Sequence, residues 1–229
     1  MGDGDFQMQA NARGSDVKKL YGAARHLVQL AAAIGLLTAI PAQAAEKLIL
    51  AFGDSLTAGY GLKPNESFPA QLQAALRKDG LQVRVHNAGV SGDTTAQGKA
   101  RLNWVLRSFP RAPDLAIVEL GGNDMLRGID PAQTRANLNA ILAEFKRRKI
   151  KVLLAGMLAA PNMGSAYRAK FDPIYPMLAK HYGVPLYPFF MKGVTGNRSL
   201  LLQDNMHPTG QGVGIVVRNI KPLVKPLLN

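Results

Sequence analysis

A serine hydroxyl is a poor nucleophile until a neighbouring base accepts its proton. Ser55 stands where such a partnership could form, in LILAFGDSLTAGYG (48–61), an apolar run that breaks on Gly53-Asp54-Ser55. Beyond residue 44 the chain has three histidines to serve as base: His86, His181 and His207. His86 falls inside an apolar run, and His181 ends a helical pattern, where a cation complements the helix dipole. His207 lies in the irregular stretch DNMHP, with Asp204 three residues before it. In a tight turn that spacing lets the carboxylate hold one ring nitrogen and leaves the other facing outward. The plain alternative is a turn that caps the next helix and leaves His207 merely exposed. Acyl transfer further needs donors aimed at a developing oxyanion. The candidates are the Ser55 amide, the unobstructed amide of Gly92 in VSGDTT, and the Asn123 side chain in GGND. Each has a bland reading too, since loop glycines serve turns and Asn-Asp pairs cap helices.

These residues matter together only if the fold brings them to one place. Five short apolar runs read as strands: 47–52, 82–88, 114–120, 151–157 and 184–189. Helical patterns alternate with them at about 66–79, 94–108, 131–149, 165–182 and 208–226. The clearest is the third, where Leu138, Ile141, Leu142 and Phe145 share one face and Asp130-Pro131 marks the start. Strands alternating with helices imply βαβ units, hence a doubly wound α/β domain with a five-stranded parallel sheet and helices on both faces. Ligands of such sheets bind beyond the carboxyl ends of the strands. Ser55, Gly92 and Asn123 follow strands one, two and three, and Asp204 and His207 follow strand five. All fall on that edge.

The blocks Gly53-Asp54-Ser55-Leu56, Gly92 in VSGDTT, Gly121-Gly122-Asn123-Asp124 and Asp204-x-x-His207 resemble, in order and spacing, those of the GDSL or SGNH hydrolase family. The stretches VELGGNDMLRG, IYPMLAK and VPLYPFFM are similar to its secreted bacterial branch of acyl-CoA thioesterase I, lysophospholipase L1 and arylesterase. The resemblance implies a flavodoxin-like sheet, nucleophile Ser55, base His207 with Asp204 behind it, and oxyanion donors Ser55, Gly92 and Asn123. It implies hydrolysis of small carboxylic esters or thioesters through an acyl-enzyme, without cofactor or metal. One departure stands in MLAAPNMG (157–164), where Leu158 replaces the arginine expected of the branch's best-known thioesterase. Met125, Leu126, Met157 and Leu158 flank the proposed site and suggest an apolar acyl groove, Met side chains being adaptable. Alternatives are an O-acetyl esterase acting on carbohydrates and a non-catalytic anion-binding module.

The first 44 residues read as a leader. Lys18, Lys19 and Arg25 precede the apolar run 27–40, and Ala42-Gln43-Ala44 forms a small-residue cleavage site. The run is short for a membrane span, so residues 45–229 are expected as one periplasmic or secreted domain without stable membrane insertion. The whole chain has 229 residues, with 28 Lys and Arg against 15 Asp and Glu. Four of the basic and three of the acidic residues lie in the leader, leaving +12 on the domain. That bias favours weak contact with anionic lipid. The densest basic cluster, 146–149, sits at a helix end rather than in a nucleic-acid patch, and no nucleic-acid partner is expected. The absence of cysteine excludes thiolate nucleophiles, disulfides and thiolate metal sites. No HExxH, P-loop or dinucleotide glycine motif occurs, and no G-x-S-x-G surrounds Ser55.

Overall fold

The computed structural model describes residues 46–228. The leader expected at 1–44 lies outside them. Five parallel strands form one sheet in the order β2-β1-β3-β4-β5. They are β1 (Lys47–Gly53), β2 (Val83–Gly89), β3 (Leu115–Glu119), β4 (Lys151–Ala155) and β5 (Leu186–Tyr187). The central strands are closed to solvent, as sequences apolar on both faces require. Ile49, Leu50, Ala51 and Phe52 on β1, and Leu115 to Val118 on β3, are buried with almost no exposure.

Helix α1 (Ser55–Ala58) is a single turn after β1, and α2 (Phe68–Lys78) returns the chain to β2. Then come α3 (Thr95–Arg107), α4 (Gly122–Leu126), α5 (Pro131–Arg147), α6 (Ser165–Phe171), α7 (Ile174–Tyr182) and α8 (Gly210–Val224). Helix α2 packs on α8, while α3 packs on α5 and α5 on α7. The two groups are the two layers that flank the sheet. Leu138, Ile141, Leu142 and Phe145 form the buried face of α5. Thr94 caps α3 in a reciprocal box with Gln97, and Asp130 caps α5 through the Ala132 amide.

Two expected elements are shorter than their patterns suggested. The helix expected over 165–182 is broken at Asp172-Pro173, since proline has no N–H for the helical ladder. The run 184–189 contributes only two paired residues, because Pro185 and Pro188 bracket them without donors. It forms the edge of the sheet, where such a strand is tolerated. The basic cluster at the end of α5 is largely spoken for. Arg147 and Arg148 grip Glu144 at 2.7 and 2.6 Å, and Lys146 lies 5.7 Å over the Tyr182 ring.

Candidate active site

Order β2-β1-β3-β4-β5 puts the reversal of strand order between β1 and β3, and the clefts of such sheets open there. At the end of β1, Gly53 leaves no room for a side chain. A Cβ would collide with the Thr57 side chain and the Glu119 backbone carbonyl. Asp54 caps α1 by accepting from the Leu56 amide at 3.0 Å. Ser55 therefore begins a helix with a single residue, Asp54, between it and the strand, and its side chain lies at the sheet edge.

His207 arrives from the opposite end of the sequence. An antiparallel bridge between Leu201 and Pro208, reinforced by Leu202 N–H on the His207 carbonyl at 2.8 Å, pinches residues 202–207 into a tight loop. Asn205 takes the left-handed conformation at φ 57° that the turn demands. Within it, Asp204 Oδ1 accepts from the amides of Met206 and His207 at 2.9 and 3.0 Å. Asp204 Oδ2 lies 2.6 Å from His207 Nδ1, and His207 Nε2 lies 2.8 Å from Ser55 Oγ. The His207 amide foremost, with the imidazole and the Met206 amide, holds the Asp204 carboxyl at about 2, below its usual 3.8. It is ionised throughout the neutral range.

Gly92 sits in the left-handed region at φ 85°, in the turn after β2, and its carbonyl accepts from Arg127 Nη2 at 2.8 Å. The amides of Ser55 and Gly92 donate to no group among the described residues. Asn123 lies on α4, whose start needs Gly121 at φ 116°, packed against Tyr175 where no Cβ would fit. Asn123 Nδ2 is 3.1 Å from both Asp54 Oδ2 and the Asp93 carbonyl. Its two N–H groups are thus engaged in the resting site, and donation to an oxyanion means sharing or exchanging one of them. Its neighbour Asp124 caps α3 instead, accepting from the Thr95 amide at 2.7 Å.

Ser55, Gly92, Asn123 and His207 open onto one cavity of about 620 Å³. Met125, Leu126, Met157 and Leu158 line it as well. The two methionines are buried, whereas Leu126 and Leu158 form a half-exposed rim.

The GDSL-like Lipase/Acylhydrolase family profile matches residues 51–215, a span that includes every residue just described. The chain belongs to that family. This GDSL-family chain is 39% identical over 186 residues to Esterase TesA of Pseudomonas aeruginosa, covering 81% of this chain and 92% of that one. It is 38% identical over 186 residues to thioesterase 1/protease 1/lysophospholipase L1 of Escherichia coli K12, covering 81% and 87%. Among solved structures it is similar to AlinE4, described as an SGNH-hydrolase family esterase, at 53% identity and a TM-score of 0.68, over 80% and 97% of the two chains.

The GDSL-family site contains groups that strand-end reasoning did not single out. Tyr60 and Arg168 line the cavity from loop and helix. They stand in no motif and lie far apart in sequence, so no spacing could announce them. Near Ser55 sits a buried acid pair, Asp54 and Glu119. Glu119, fully enclosed on β3, accepts from Thr57 Oγ1 at 2.8 Å and faces the Asp54 amide at 3.4 Å, while its Oε1 has no partner. Its sign in the sequence was visible: a lone carboxylate inside the apolar run LAIVEL (115–120). Burial foremost, and then the Asp54 charge, pushes the Glu119 carboxyl well above the usual range. Burial likewise raises Asp54 to about 6, against the pull of the Leu56 amide and Asn123.

A raised acid has a definite sign in stability. The folded protein takes up the Asp54 proton before the unfolded chain does, so stability rises as pH falls from 7 through 6 toward 3.8. Asp54→Asn removes that gain and keeps an oxygen for the Leu56 amide. Melting temperature followed from pH 7.5 to 4.5 should show the wild type gaining on the variant as pH falls. Parallel curves would mean that Asp54 is no more costly to ionise folded than unfolded.

Proposed function

We propose that this protein is a serine hydrolase of small carboxylic esters, aryl and short-to-medium acyl esters or thioesters, working through an acyl-enzyme. The observation that carries the reading is the chain of contacts Asp204–His207–Ser55 at 2.6 and 2.8 Å, opening onto a largely apolar cavity. As Ser55 Oγ bonds to the acyl carbon, His207 Nε2 takes its proton, and Asp204 holds the imidazole by Nδ1 and stabilises the charge it acquires. The free amides of Ser55 and Gly92, with Asn123 Nδ2, receive the oxyanion. Collapse breaks the bond to the alkoxide, phenoxide or thiolate, which leaves with the proton from His207. Water then repeats the sequence and releases the acid. No cofactor is required.

Met125, Met157, Leu126 and Leu158 form the acyl-binding wall in this reading. Each methylene buried there adds up to about 0.8 kcal/mol. On p-nitrophenyl esters of two to sixteen carbons, below any micelle threshold, kcat/KM should climb several-fold per two carbons until the groove is full. Leu158→Asp should flatten the climb, and a fluorophosphonate probe should label Ser55. A flat wild-type profile, or one that the substitution leaves untouched, would remove the groove. Failure to label Ser55 would remove the hydrolase reading itself.

Residues 1–44 are a cleavable secretory leader in the same proposal, with the domain 45–229 released to the periplasm or outside the cell. The support is the charged segment, the apolar run 27–40 and Ala42-Gln43-Ala44. No helix among the described residues is long and apolar enough to cross a membrane. Contact with lipid would then be peripheral and weak, driven by the +12 charge and anionic headgroups.

A further inference from the structure

We infer that Tyr60 and Met206 form a leaving-group subsite beside His207 that selects flat apolar alcohols, polycyclic aryl ones most strongly. The inference rests on the ester-hydrolase reading above and names the substrate class on its other side. The proton path fixes which half of the cavity the leaving group occupies. In acylation the departing oxygen takes its proton from His207 Nε2, so it must lie within hydrogen-bond reach of that atom. The side chains that border the leaving group are therefore those bordering the imidazole, not those beyond Asn123.

Tyr60 is the side chain against that ring. The two ring centroids are 4.6 Å apart, with the planes tilted by 38°. Its backbone is fixed, because the Tyr60 amide donates to the Ser55 carbonyl at 3.1 Å and Gly59 before it turns the chain at φ 86°. Yet Tyr60 is 54% exposed and lines the cavity, so a broad part of its surface has no protein partner. Met206 is tethered by its amide to Asp204 and leaves its side chain 46% exposed on the same cavity. A large aromatic left open beside the proton donor, with a polarizable thioether on the same cavity, gains from a flat partner. Aromatic pairs and sulfur–aromatic contacts both reward one beyond simple burial. A phenol-type leaving group can lie against Tyr60 while its oxygen stays within reach of Nε2. A second fused ring extends over surface that a single ring leaves wet.

The test holds the acyl group constant and changes the alcohol. Phenyl and 2-naphthyl acetate release alcohols of similar acidity, so their kcat/KM ratio reports contact rather than leaving ability. A second ratio, p-nitrophenyl butyrate over acetate, reports the acyl side. The wild type should prefer naphthyl by about tenfold. Tyr60→Ala should collapse that ratio toward one, Met206→Ala should lower it by about twofold to threefold, and Tyr60→Phe should keep it. The acyl ratio should move less than twofold in all three. A substitution that merely disturbs the imidazole lowers all rates together and leaves both ratios alone. An unchanged naphthyl preference in Tyr60→Ala, or acyl and aryl ratios that move together, would overturn the subsite. Failure of the underlying reading looks different: none of the four esters is hydrolysed and no acetyl adduct forms on Ser55.

Discussion

Ser55→Ala should fold as the wild type does and lose at least about 10⁴-fold in kcat/KM. The structure separates the two consequences. The Ser55 hydroxyl has one hydrogen bond, to His207 Nε2, so its removal deletes the proposed attacking atom and little else. The turn that presents it is held by other means, namely the Asp54 cap on Leu56 and the tight fit of Gly53 against β3. Stability read from the melting curves should therefore change by no more than a buried hydroxyl accounts for, about 1 kcal/mol either way. Purified variant and wild type compared on a single aryl ester, with melting curves for both, decide the matter. Activity above about one per cent in folded variant would assign the nucleophile elsewhere.

Asp204→Asn should cost roughly 10³-fold or more in kcat/KM, and its failure should be more complete than that of Asp204→Ala. The reason lies in the two oxygens. Oδ1 accepts two amides of its own turn, from Met206 and His207, so an asparagine keeps its one oxygen there. Its NH2 then faces His207 Nδ1, which must become an acceptor. The imidazole proton is forced onto Nε2, the atom that has to receive the Ser55 proton. Alanine leaves Nδ1 to water and both tautomers accessible. Steady-state kinetics of the two variants on the same ester test the ordering. An asparagine variant more active than the alanine one would show that Asp204 acts through its charge alone, without selecting a tautomer.

The positions of Ser55, Gly92, Asn123, Asp204 and His207 on one sheet edge were legible because a parallel sheet converts strand ends into neighbours. No long-range contact had to be guessed. Capping was legible as well: Asp130-Pro131 announced the start of α5 by residue type alone. Elements that depend on context were harder to read. The pattern over 165–182 kept its apolar rhythm across Asp172-Pro173 because Phe171 at the end of α6 and Ile174, Tyr175 and Leu178 on α7 are all buried, although the ladder between them is cut. The engagement of Asn123 with Asp54 and the Asp93 carbonyl depends on three loops meeting, which no local spacing encodes. Tyr60 was invisible for the same reason. A tyrosine after a glycine reads as loop surface until the far end of the chain sets His207 against it.

The Ser55–His207 contact joins residues 152 positions apart. A chain is made from its amino end, so in the proposed mechanism Ser55 exists long before the base that would arm it. Until the last helix docks against α2 and the Leu201–Pro208 bridge closes, the serine is chemically no different from any other alcohol in the cell. Contacts of such span also form late in folding, since the chain between them must be ordered first. The connectivity thus acts as a timing device in the proposed mechanism. A copy made only as far as residue 200 has Ser55 and the proposed acyl wall of Met125, Leu126, Met157 and Leu158 but lacks His207, so in this reading it cannot attack an ester.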